Sequence, residues 1–200
     1  MHKPRFKIRN TKTKLSNMLI VALMGGGLLL LSYSMIIPAK AYLSVHLMNH
    51  AWQRTLEGQT DAKPWPWMDS RAIARIHFDK ENQSFIVMQG TSGEVLAFAP
   101  GWHEQTARPG ENGASVLSAH RDTHFKLLKD IEAGDHFKLQ TPNGKWQHYE
   151  VSQRFITDKP QLSLPADQNE SVIYLTTCYP FGDIGPRTTK RYIVTAVKTG

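Results

Sequence analysis

Ser171-Val172-Ile173-Tyr174-Leu175-Thr176-Thr177-Cys178 is a β-prone run that ends on the chain's one cysteine. Twelve residues follow, Tyr179 to Lys190, marked by Pro180, Gly182, Gly185 and Pro186, and they read as a loop. The chain then resumes at Arg191 with a second β-rich run, Tyr192-Ile193-Val194-Thr195-Ala196-Val197. Paired as an antiparallel hairpin, the end of the first run lies beside the start of the second, about 5 Å away. The pattern therefore predicts that Cys178 and Arg191 share one rim of a sheet.

Upstream, the same short runs recur: Arg71–Phe78, Phe85–Gln89, Val95–Ala99, Ser115–Ala119, Phe137–Thr141 and Trp146–Thr157. Ser92-Gly93 and Pro142-Asn143-Gly144 are turn signals, the latter of hairpin type. One helical patch, around Phe125–Ile131, interrupts the series. No βαβ alternation and no internal repeat is present. About eight strands in roughly 130 residues, with one or two short helices, predict a mainly β domain closed into a barrel. A sandwich fits the same periodicity. His120 follows the run Ser115–Ala119, so it too stands at a strand end.

The charge is not spread over this domain. The chain carries a formal net charge of +7, but Lys3, Arg5, Lys7, Arg9, Lys12 and Lys14 supply six positive charges with no acid among them. Taking these six from the 24 basic residues leaves 18 against 17 acidic ones. A nucleic-acid-binding domain carries its charge on the folded part, so that class is excluded. Between Lys14 and Lys40 no charge appears, and Leu15–Ile37 reads LSNMLIVALMGGGLLLLSYSMII. At ~1.5 Å per residue, this helix spans a hydrocarbon core of roughly 30 Å. The basic tail predicts that the N-terminus faces the cytoplasm and that the rest is exported. Ala39-Lys40-Ala41 offers a cleavage site for a signal peptide, with processing after Ala41. The apolar run exceeds the roughly 7–15 residues of such signals, which favours a retained anchor in the cytoplasmic (inner) membrane.

The expected organisation is a basic tail over residues 1–14, a membrane anchor over 15–38, a juxtamembrane helix and linker over 39–69, and a catalytic domain over 70–200. Residues 41–57 read as a helix with Leu43, Leu47 and Trp52 near one face, and Gly58–Lys63 as a linker. His46 and His50 stand one turn apart, at metal-ligand spacing, but no third ligand accompanies them and a surface helix is expected. Trp65-Pro66-Trp67 reads as a packing clamp where the chain joins the domain, or as a flap near the active site.

A single cysteine excludes an intramolecular disulfide and a cysteine-rich zinc site. By itself such a residue is most often a small buried hydrophobe. Position changes that reading. A thiol becomes a strong nucleophile as the thiolate, which a nearby imidazolium favours, and His120 is the candidate. The imidazole then handles protons for the leaving and incoming groups. Arg191 offers a rigid guanidinium for a developing oxyanion. His124 and Arg187 compete for these roles, and Asp122 offers a carboxylate to orient an imidazole.

These residues resemble the sortase family of cysteine transpeptidases. Leu175-Thr176-Thr177-Cys178 is similar to the family's cysteine signature, with Tyr174 at its first position. Arg191 with Tyr192-Ile193-Val194-Thr195-Ala196 resembles its arginine and final strand, and Ser118-Ala119-His120-Arg121-Asp122-Thr123 its histidine motif, with Ala119 where many members have glycine. The likeness covers about residues 70 to 198. Trp65-Pro66-Trp67, His120-Arg121-Asp122-Thr123-His124-Phe125 and Cys178-Tyr179-Pro180-Phe181 resemble the sortases of Gram-negative bacteria in particular.

The resemblance implies an eight-stranded barrel and a two-step reaction; no cofactor is expected, and no acidic cluster compels a calcium site. His120, Cys178 and Arg191 would be catalytic, with the backbone near Thr177 helping to bind the substrate carbonyl. The partners implied are a substrate protein carrying a C-terminal sorting signal, an amine acceptor (or water) and the lipid bilayer. Two other functions compete: a catalytically silent anchored barrel that binds a partner protein, and another cell-wall-directed cysteine peptidase. The L,D-transpeptidases place a His-Gly pair directly before their cysteine, where this chain has Thr176-Thr177.

Overall fold

The structure, a computed structural model, describes residues 11–158, 169–182 and 188–199, with side chains from residue 16 onward. The chain falls into two units, Met1–Leu43 and Ser44–Gly200.

In the first unit, α1 (Thr11–Ser34) is followed by the start of α2 (Ile36–Leu56). From Ser16 to Leu56 the helical run is long and apolar enough to cross a membrane, by length and composition. Leu23, Leu28, Leu29, Leu30 and Ile37 are all exposed. A helix apolar on every face has no solvated side to present to water, which is the pattern of a membrane span.

The second unit begins with the rest of α2. Ser44, Met48, Ala51 and Trp52 are its buried residues, and their spacing puts them on one face. That face keeps Trp52 of the three expected residues but not the two leucines. Leu43 is exposed and Leu47 only partly buried, because the stripe runs one residue later than the leucines indicate. Trp52 is fully buried, and its indole Nε1 donates to Gln140 Oε1 at 3.0 Å. Met68, Ile86, Met88 and Val95 pack around Met48 and Trp52, with Trp65 alongside. Trp65 meets Phe98 edge-on at 5.2 Å, while Trp67, two residues on, is 78% exposed. The segment Gly58–Lys63 is tied down as well, with Arg54 Nη2 donating to the Lys63 carbonyl at 2.5 Å.

Eight strands close into a barrel: β1 (Ala72–Phe78), β2 (Gln83–Gln89), β3 (Gly101–Trp102), β4 (Gly113–Ser118), β5 (His136–Gln140), β6 (Trp146–Thr157), β7 (Ser171–Cys178) and β8 (Arg191–Lys198). Around the barrel the order is β1-β2-β3-β4-β7-β8-β6-β5. Neighbours pair antiparallel except β2 with β3 and β4 with β7. Closure settles the choice between barrel and sandwich and leaves no open sheet edge. The interior is filled by Leu117, Leu128, Phe137, Leu139, Ile173, Leu175 and Val194. Phe137 stacks on Tyr149 with centroids 5.4 Å apart, and the Tyr149 hydroxyl lies 2.8 Å from Ser171 Oγ.

One expected strand is wrong. Val95–Ala99 belongs to a short helix, α3 (Gly93–Phe98). Ser92 caps it, its Oγ accepting from Val95 N at 3.3 Å, and Glu94 lies in the first turn, where the helix dipole favours an acid. The strand that completes the barrel is instead the two-residue β3, between β2 and β4. Gly101 is required there, since a Cβ would come within 2.2 Å of the Gly90 carbonyl oxygen. The helical patch at Phe125–Ile131 is a 3-10 turn over Lys126–Lys129.

Candidate active site

The last residue of β7 is Cys178, and its partner across the antiparallel ladder is Arg191, the first residue of β8. The hairpin therefore brings the thiol and the guanidinium to one edge, as the sequence predicts. Both are half-buried. Arg191 is held by its own loop, Nη1 donating to the carbonyls of Thr188 at 3.1 Å and Lys190 at 3.0 Å.

On the other side, β7 runs parallel to β4, with Ser118 opposite Thr176. The pairing continues past the end of β4. Ala119 N donates to the Thr176 carbonyl at 3.3 Å, and the buried Thr177 hydroxyl donates to the Ala119 carbonyl at 2.7 Å. His120 and Cys178 are the next residues on each strand. Parallel strands ~4.8 Å apart deliver both residues off the same edge. His120 is exposed there. Three backbones thus converge: β4 delivers His120, β7 Cys178 and β8 Arg191.

His124 packs edge-on against Phe85 at 5.5 Å, with the Phe98 carbonyl as a partner. Burial holds its imidazole below the ordinary value and outweighs that carbonyl, and the charge of His120 adds to the lowering. Asp122 is exposed and lies 3.5 Å from Arg121 Nε, so it faces a guanidinium. Arg187 lies outside the described residues.

Three features escaped the sequence. Arg121 Nη1 donates to the Pro180 carbonyl at 2.6 Å, tying the segment after His120 to the segment after Cys178. No side-chain identity marks a backbone carbonyl 59 residues away, so nothing in the sequence signals this tie. His103 Nε2 lies 2.7 Å from Ser118 Oγ, and burial lowers its pKa. Beside the cysteine, Tyr192 stacks on Tyr179 at 6.3 Å and meets Phe181 edge-on at 5.2 Å. The two tyrosines flank the site in sequence, Tyr179 next to Cys178 and Tyr192 next to Arg191, and only the register shows that they meet.

Comparison with known proteins gives the family and the fold. A family model described as the sortase domain matches residues 76–199. Sortase D of Bacillus subtilis (strain 168) is 36% identical over 125 residues, which cover 62% of this chain and 62% of that protein. The match thus spans less than two thirds of that relative. Among solved structures, a Clostridium perfringens sortase D5 transpeptidase superposes with a TM-score of 0.57 at 26% identity, covering 76% of this chain and 89% of that one. Clostridium perfringens sortase C with the C-terminal cell wall sorting motif superposes at 0.58 and 24% identity, over 84% and 96% of the two chains, and shares the fold. A sortase-domain match over more than half the chain, on a closed eight-stranded barrel, places this protein in the sortase family.

Proposed function

We propose that the protein is a membrane-anchored cysteine transpeptidase of the Gram-negative sortase class. The observation that carries the reading is the convergence of β4, β7 and β8, which puts His120, Cys178 and Arg191 on one edge. The Cys178 thiolate attacks the carbonyl carbon of a scissile peptide bond in a sorting signal. The oxygen gains the negative charge, and Arg191 stabilises it with charge-assisted hydrogen bonds. As the C–N bond breaks, His120 as imidazolium gives its proton to the leaving amine, and an acyl-thioester remains on Cys178. An incoming amine then attacks the thioester carbonyl and loses its proton to His120. The C–S bond breaks and returns the thiolate; water in place of the amine gives hydrolysis. Thr177 contributes through its backbone, because its hydroxyl is already committed to the Ala119 carbonyl.

The apolar run Ser16–Leu56 and the basic residues ahead of it support a single-pass anchor in the cytoplasmic membrane with the N-terminus inside. The sortase-domain match supports a substrate protein with a C-terminal sorting signal, the kind of motif bound in one solved structure of the same fold. Trp65-Pro66-Trp67 and Cys178-Tyr179-Pro180-Phe181 support the Gram-negative class.

The test is acyl-enzyme trapping. The full chain in detergent micelles is incubated with peptides from the C-termini of exported proteins, quenched in acid, and its intact mass read. A mass increment on Cys178 is expected, absent in Cys178→Ala and strongly reduced in His120→Ala. Arg191→Lys keeps the charge but loses the fork, and should slow acylation roughly 10²–10³-fold, the usual loss of an oxyanion donor. An unmodified Cys178 across the whole set of peptides would overturn the reading.

A further inference from the structure

A cavity of about 200 Å³ lies between α2, the β1–β2 pair, α3 and His124. It is smaller than the roughly 300–1,000 Å³ of sites for drug-sized ligands, so it suits a residue-sized group. Met48, Phe85 and Phe98 give it apolar walls. Arg75 adds a cation, and no acidic side chain is among the lining residues. Its Nη2 donates to Asn49 Oδ1 at 2.7 Å, a neutral partner. Its Nε is buried without a hydrogen-bond partner, and no ion pair among the described residues reaches it. A half-buried guanidinium with apolar neighbours and no counter-ion is matched by an anion that brings its own short apolar flank.

His124 joins this cavity to the catalytic edge. It lines the cavity and rests on Phe85. It also lies within the turn in which Phe125 N donates to the His120 carbonyl at 3.1 Å. A group seated against His124 is therefore one tight turn from His120, the residue that must take the proton of the incoming amine.

We propose that this cavity holds the carboxylate end of the acceptor, which makes the acceptor an amino-acid-like amine bearing an anionic group. The inference rests on the two-step reading above, because that reading calls for an amine beside Cys178. A carboxylate suits the site better than a phosphate, since one guanidinium offers a two-pronged fork and a single charge. A purely apolar occupant would leave Arg75 without a counter-ion.

The test pairs 4-aminobutanoate with its primary amide, two acceptors that differ in charge at one end. Binding of each to the full chain in detergent micelles is measured by calorimetry. In parallel, Cys178 is acylated with a simple peptide thioester and the aminolysis products are counted by mass spectrometry. The wild type should prefer the carboxylate at least tenfold in both assays. Arg75→Gln should abolish that preference. Asn49→Asp should do the same by turning the neutral partner of Arg75 Nη2 into a carboxylate. Equal use of the two acceptors, or a preference that survives both substitutions, would overturn the inference and leave the transpeptidase reading intact. Failure of Cys178 to acylate would overturn that reading, while the calorimetry still decides whether the cavity takes a carboxylate.

Discussion

Thr177 is buried to 3% exposure, and its hydroxyl donates to the Ala119 carbonyl across the β4–β7 seam. Valine has nearly the same shape and no donor. Thr177→Val should leave a buried carbonyl unsatisfied at a cost of about 1–3 kcal/mol, read as a lower urea midpoint with unchanged slope. Because that bond sets the step before both His120 and Cys178, acylation should fall further than the loss of folded protein accounts for. Arg121 acts through neighbours too. With its bond to Pro180 gone, Arg121→Ala should lower kcat about tenfold with little change in KM, the pattern of lost positioning. Arg121→Lys, which can still donate to a carbonyl, should recover part of it. A variant that lost only thermal stability would show Arg121 to be structural. The sequence made Cys178, His120 and Arg191 legible because strand ends and loop lengths are local. Arg121 stayed hidden because its partner is a backbone atom, and backbone atoms leave no trace in residue identity.

At the scale of elements, α2 has two roles along one length. Its first part is exposed and apolar, and its last part docks Met48 and Trp52 against the barrel. Trp52→Ala removes a fully buried indole and its bond to Gln140, and should cost about 3–5 kcal/mol. The measurement is denaturant unfolding of the full chain in micelles, followed by near-ultraviolet circular dichroism; a loss below about 1 kcal/mol would show that the helix docks without supporting the barrel. The amphipathic helix was legible from periodicity, but its buried face was displaced by one position. Leucines guided the reading, whereas Ser44, Met48 and Ala51 are the residues buried together with Trp52. The same weakness misread Val95–Ala99. A run of five apolar-rich residues fits strand and helix equally, and the Ser92 cap decided it. No periodicity reveals a strand of two residues such as β3, which exists because β2 and β4 hold it between them.

For the whole molecule, the barrel class was legible in the count and spacing of short runs, while its closure through two parallel pairings was not, because no local signal states which strand a run meets. Two half-buried imidazoles lie beside the barrel, and their titration bears on the stability of the whole fold. His103 lies against Ser118 Oγ, and His124 sits between Phe85 and the Phe98 carbonyl with His120 nearby. Burial lowers both below the ordinary value of 6.5. As pH falls through 6.5, the unfolded chain takes up protons at these positions while the folded chain does not, so stability declines. The decline continues until the lowered folded values are passed, and above 6.5 these groups contribute no slope. Asp135 acts in a separate, more acidic window. Bonds from the Glu132 backbone and Lys80 outweigh its desolvation and lower its carboxyl below 3.8, so its contribution is lost only as pH falls past that range. Its ion-pair partner Lys80 is exposed, so the contribution is screened and small. Urea midpoints of the full chain should therefore hold steady from about pH 8 to 7 and drop as pH falls below about 6.5. His103→Gln and His124→Gln, each replacing an imidazole with a neutral amide, should each flatten part of that drop, and the double variant most of it. A drop of unchanged steepness in the double variant would assign the acid sensitivity to other groups.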